Sequence, residues 1–100
     1  MDYHRATSLI DEIAARTDEA IALANHRLGG ERVHWRRDFY RLLATNLAAY
    51  KASLLEGRLG APGSGAGWGA GKAIFDVGLD DWELSAAVEA AEGLYRDGRP

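Results

Sequence analysis

Small and apolar side chains at Ala6, Ile10, Ile13, Thr17, Ile21, Ala24 and Leu28 recur at steps of four, three, four, four, three and four residues. That is the period of one face of an α-helix. Leu9, Ala20 and Leu23 widen the stripe, while Asp11, Glu12, Arg16, Asp18, Glu19 and Arg27 fall mostly on its polar side. The spacing predicts a helix over 2–28, closed by a left-handed turn at Gly29-Gly30. A second face, Trp35, Phe39, Leu43, Leu47, Tyr50 and Leu54, broadened by Leu42 and Leu55, predicts a helix over 31–56 that stops at Gly57. Asn46 sits at its edge, either as a partly exposed margin residue or as a buried amide that fixes pairing register. Both helices come to about 25 residues, or about 37 Å. Two helices of equal length on a two-residue joint read as an antiparallel hairpin.

Residues 57–71 break the pattern. Gly60 to Lys72 holds six glycines in thirteen residues and reads as a connector. The apolar run 72–78 is too short for periodicity to separate an extended segment from a turn of helix. Asp80-Asp-Trp-Glu83 has the form of a capping box, and Leu84, Ala87, Val88, Ala91, Leu94 and Tyr95 give the apolar face of a helix over 81–96. Glu92 and Arg96 are spaced as a surface i, i+4 pair. The expected fold is all-α, a single domain over 1–100, with a long hairpin and a shorter C-terminal helix. So short a third helix leaves much of the hairpin's apolar surface uncovered, so dimerisation is expected to complete the bundle.

Composition changes this picture little. With 47% hydrophobic and 27% charged residues the chain has an ordinary globular balance. There is no cysteine, which excludes disulfides, thiolate nucleophiles and cysteine-ligated zinc. The first residues, Met1-Asp2-Tyr3-His4-Arg5, carry charges where a signal peptide needs an apolar run, and no stretch approaches a membrane span. A soluble, cytoplasmic protein with no membrane partner is therefore expected, and ten arginines against two lysines, with eighteen alanines, suggest a bacterial source. Charge is segregated: residues 1–29 carry −2, 30–58 carry +3 and 59–100 carry −4. Either oppositely charged helices pack side by side, or the basic stretch is a nucleic-acid stripe.

Candidate chemistry is sparse. A phosphate-binding loop ending on Gly71-Lys72 needs glycine at position 66, where alanine stands, and a hydroxyl at position 73, which is also alanine. The dinucleotide fingerprint fails because the glycines alternate strictly from Gly63 to Gly71 and no predicted strand precedes them. Trp68 has no use in a plain linker, so its indole is expected to dock on the hairpin. Glu31-x-x-His34 has the spacing by which bundles present ligands to iron or manganese, but it stands alone beside the reading of a surface pair near a helix start. No nucleophile, catalytic set or cofactor site is expected. The chain is thus expected to be a non-catalytic interaction module, binding itself or another protein through an aromatic face that includes Trp35, Phe39, Tyr40, Tyr50, Leu54 and Trp68. The alternative is a nucleic-acid-binding or regulatory protein using Arg27, Arg32, Arg36, Arg37 and Arg41.

Overall fold

A computed structural model describes the backbone of residues 2–99 and the side chains of residues 9–99. Within them the chain forms four helices, α1 (Asp2–Gly30), α2 (His34–Leu55), α3 (Ala70–Asp76) and α4 (Trp82–Asp97). The molecule measures 49 × 21 × 20 Å. The hairpin of α1 and α2 carries α4 against α1, and α3 packs on α4. Arg27 of α1 binds Asp81 at the start of α4, and Tyr40 of α2 reaches the same carboxylate. Tyr50 of α2 and Tyr95 of α4 meet at Trp68. α4 therefore runs parallel to α2 and antiparallel to α1.

The predicted stripes become the core. Ile13, Ala20 and Ala24 of α1, Leu47 of α2, and Leu84, Val88 and Ala91 of α4 are fully buried. Three of these fully buried residues, Ala20, Ala24 and Ala91, add almost no side-chain bulk to the core. Thr17 is buried too, and its hydroxyl donates to the carbonyl of Ile13 at 2.7 Å, so no polar atom is left unpaired there. Ala6, the first position of the α1 stripe, lies outside the described side chains.

Two local expectations need correction, and one open choice is decided. Gly29 and Gly30 do not close α1; both remain helical, and neither takes a positive φ. The joint is Glu31 to Val33 instead. Arg37 reaches back from α2 to donate to the carbonyls of Leu28 (3.1 Å) and Glu31 (2.8 Å), while the Glu31 carboxylate accepts from the amides of Arg32 and Val33. Side chains satisfy the backbone groups freed at the joint, so no left-handed glycine is required. The cap of α4 is Asp81, one residue later than expected, accepting from the Leu84 amide at 3.1 Å. Glu83 is thereby free to pair with Arg27. The apolar run after the glycines is helical and starts at Ala70, ahead of Lys72.

Candidate functional site

Between α2 and α3 the non-helical segment 56–69 is a strap bound along its length. Gly63 and Gly65 donate their amides to the carbonyls of Tyr95 (2.8 Å) and Arg96 (2.9 Å), which lie in the last turn of α4 and have no helical partner of their own. Tyr95 returns a bond from its hydroxyl to the Gly60 carbonyl at 2.8 Å. Trp68 is 9% exposed, its ring stacked on Tyr50 (centroids 5.1 Å apart, planes 5° apart) and tilted against Tyr95 at 5.3 Å. The Tyr50 hydroxyl donates to the Trp68 carbonyl at 2.9 Å. Among the described residues the buried indole nitrogen of Trp68 has no acceptor. Docking of Trp68 on the hairpin is thus achieved through Tyr50, with α4 closing the other side.

The centre of the strap is a buried anion supplied by the chain itself. Glu92, in the middle of α4, is 6% exposed. Its Oε2 accepts from the amides of Trp68 (2.7 Å) and Gly69 (2.9 Å), and its Oε1 from the amide of Gly71 in the first turn of α3 (3.1 Å). Three donated bonds replace the water that burial strips from the carboxylate. Gly69 takes φ +80°, a conformation that aims successive amides at one point and that side chains resist. The glycine-rich loop does cradle an anion, and that anion is Glu92. This corrects the expected Glu92–Arg96 surface pair: Arg96 binds Glu89 (2.8 Å) and Asp97 (3.2 Å) instead. The signal was present, since position 92 lies four residues after Val88 and three before Tyr95, on the apolar face of α4.

Gly67 shows how tightly the two parts fit. A Cβ placed there would run into Oε2 of Glu92, the oxygen already held by two amides. Gly67→Ala is therefore expected to destabilise the protein by about 1–3 kcal/mol, the cost typical of overpacking. Urea unfolding of the variant measures it, and an unchanged midpoint would mean that the strap can move off Glu92 freely.

A second polar cluster ties α4 to the hairpin. Arg27 donates from Nε to Asp81 (2.9 Å) and from Nη2 to Glu83, and the Tyr40 hydroxyl lies 3.4 Å from Asp81. Burial alone would raise the Asp81 carboxyl, but the Arg27 guanidinium and the Leu84 amide outweigh it and hold the group below the ordinary aspartate value. The bonds to Asp81 and Glu83 in turn raise the Arg27 guanidinium. Burial and the nearby Asp81 charge push the Tyr40 phenol up. A carboxylate with a lowered folded pKa stabilises the fold above its unfolded value, about 3.9, and loses that contribution as pH falls through the folded value. Asp81→Asn is expected to be less stable than the wild type at neutral pH, and the difference should shrink below about pH 4. Urea midpoints of both proteins across that range measure it.

The remaining predicted residues are spread along the hairpin. Glu31 is occupied with the joint's amides, and His34 stands 94% exposed, 3.8 Å from Asp38. Among the described residues no three acidic or histidine side chains come close enough to hold a metal. Of the arginines, Arg27 and Arg37 are engaged as above, and Arg41 pairs with Asp38 (3.2 Å). Arg36 lies 3.9 Å from Glu31 and over the Trp35 ring at 5.5 Å, and Arg32 is exposed. Tyr40, Leu54 and Trp68 are buried inside the chain, Phe39 and Tyr50 partly so, and Trp35 is 46% exposed. Phe39, Leu42, Asn46 and Tyr50 line a shallow cleft of about 80 Å³ with Trp68 and Ala73 opposite, which sets α3 beside α2.

Among the described residues the large apolar side chains that stay exposed are Val33, Trp35, Leu42, Leu55, Phe75, Val77 and Trp82. Phe75 (83%) and Trp82 (80%) are almost fully in solvent, a placement sequence periodicity does not reveal because both fall outside the helical stripes. Five of the seven, all but Leu42 and Leu55, lie where α2 begins and α3 turns into α4. The Arg27–Asp81 and Tyr40–Asp81 bonds put these two regions at the same end of the molecule. Set against known proteins, the chain matches no family model, no curated protein and no solved structure.

Proposed function

We propose that the chain is a non-catalytic helical assembly module that self-associates through the end of the bundle formed by the start of α2 and the α3–α4 corner. The observation that carries this reading is the gathering of Val33, Trp35, Phe75, Val77 and Trp82, all exposed, at that one end. Large aromatic side chains held out in solvent by a folded domain are the usual anchors of interfaces. The reading keeps Trp35 from the aromatic face expected of α2. It assigns Tyr40, Leu54 and Trp68 to the protomer's own packing, in keeping with their burial. Glu92, the most buried acid among the described residues, has a structural part in it, since its two oxygens already accept three amides.

Sedimentation equilibrium over a range of concentrations tests it. The wild type is expected to associate as concentration rises, and the double variant Phe75→Ser/Trp82→Ser to remain monomeric with an unchanged helical signal. Both positions are exposed, so the substitutions leave the core intact. A wild type that stays monomeric up to high micromolar concentration sinks the proposal.

A further inference from the structure

The same end of the molecule carries both signs of charge side by side. On residues 31–41 stand four arginines, Arg32, Arg36, Arg37 and Arg41, against Glu31 and Asp38. On the α3–α4 corner stand Asp76, Asp80, Asp81 and Glu83, against Lys72 and the Arg27 that α1 brings to them. Intrachain bonds leave a residue of each sign. Among the described residues the Arg32 side chain has no acidic partner and Asp80 no basic one. Arg36 has only a 3.9 Å approach to Glu31, and Asp76 is held only by the exposed Lys72. The two sets do not reach one another within the chain.

We propose that the occupant of this end is a second copy of the chain, docked about a two-fold axis, so that Arg32 and Arg36 of one protomer meet Asp76 and Asp80 of the other, and reciprocally. The inference rests on the self-association proposed above and adds its partner contacts. A two-fold interface requires a surface that complements itself, with each contact made twice. An end of a single sign would repel its own copy. This one offers a basic half and an acidic half, each carrying exposed aromatic side chains: Trp35 on the first, Phe75 and Trp82 on the second. Docking buries the aromatics, and the charge pairs at the rim set the register.

Charge exchange tests the arrangement. Two double variants are made at exposed positions, Arg32→Glu/Arg36→Glu and Asp76→Lys/Asp80→Lys, with circular dichroism to verify the fold. Wild-type association is expected to weaken as salt rises. Each double variant alone is expected to associate at least about tenfold more weakly, because like charges then face each other twice. An equimolar mixture of the two variants is expected to recover association as a heterodimer, since opposite charges then meet at both contacts, the native residues at one and the exchanged signs at the other. If the wild type associates while the variants associate equally well, or the mixture shows no recovery, this docking is overturned and the self-association stands. A monomeric wild type overturns both.

Discussion

Replacing Glu92 with alanine is expected to destabilise the protein by about 3 kcal/mol, a large part of the total for a domain of this length. The carboxylate collects the amides of Trp68, Gly69 and Gly71 and lies 6% exposed, so alanine leaves three donors around a small void. Removing the partner of a buried donor costs about 1–3 kcal/mol per group, offset here by the water that can enter and by the carboxylate no longer being desolvated. Glu92→Gln is the sharper comparison. The amide keeps the shape and can turn its oxygen toward Trp68 and Gly69, but its NH2 then faces the Gly71 amide, donor against donor. A loss of about 1–2 kcal/mol is expected, smaller than for alanine. Urea unfolding followed by circular dichroism gives both values. A glutamine variant as stable as the wild type would mean that the third amide and the charge contribute nothing.

The second large effect is expected at Trp68. Trp68→Ala removes the ring between Tyr50 and Tyr95 and leaves the largest cavity any single truncation could open in the strap. Truncations of this kind cost about 3–5 kcal/mol. Trp68→Phe keeps an aromatic face for Tyr50 and removes the indole N–H that has no acceptor, so it is expected to recover much of that loss. Since Trp68 donates its own amide to Glu92, the losses from Trp68→Ala and Glu92→Ala are expected to be less than additive in the double variant. Fluorescence provides a second readout. At concentrations low enough to keep the protein monomeric, Trp35 and Trp82 are 46% and 80% exposed, so the quencher-resistant part of the emission belongs to Trp68 and should vanish in Trp68→Phe alone.

Helix periodicity made the hairpin legible, because α1 and α2 are long enough for their stripes to repeat over many turns and the structure buries Ile13, Leu43 and Leu47 as expected. Ends were less legible. Glycine at positions 29 and 30 is a weak stop signal when a distant side chain, Arg37, can satisfy the carbonyls that a left-handed glycine would otherwise help to cap. The cap of α4 moved from Asp80 to Asp81, since two adjacent aspartates offer the same chemistry and only the approach of Arg27 distinguishes them. Among the described residues no arginine of the basic stretch 30–58 pairs with the acidic C-terminal segment; the ion pairs to that segment from the hairpin come from Arg27 of α1, while Arg37 and Arg41 bind within the hairpin.

The glycine strap was the least legible part, for a physical reason. Its alternating glycines depart from the known phosphate patterns because they are spaced to meet α4. The amides at 63 and 65 reach the last carbonyls of that helix, and those at 69 and 71 reach the Glu92 carboxylate. Both sets of partners lie more than twenty residues away in sequence, where no local pattern can announce them. The hint that was available is an acidic residue set on an apolar face, at a position where a charge must find a partner.

Amide hydrogen exchange at Trp68, Gly69 and Gly71 tests most directly whether the strap is closed around Glu92. In the wild type these three amides are expected to exchange as slowly as the interior amides of α4, such as those of Val88 and Ala91, and to lose that protection together in Glu92→Ala while α1 and α2 keep theirs. Exchange at the rate of an unstructured chain in the wild type, with Val88 and Ala91 still protected, would contradict the account.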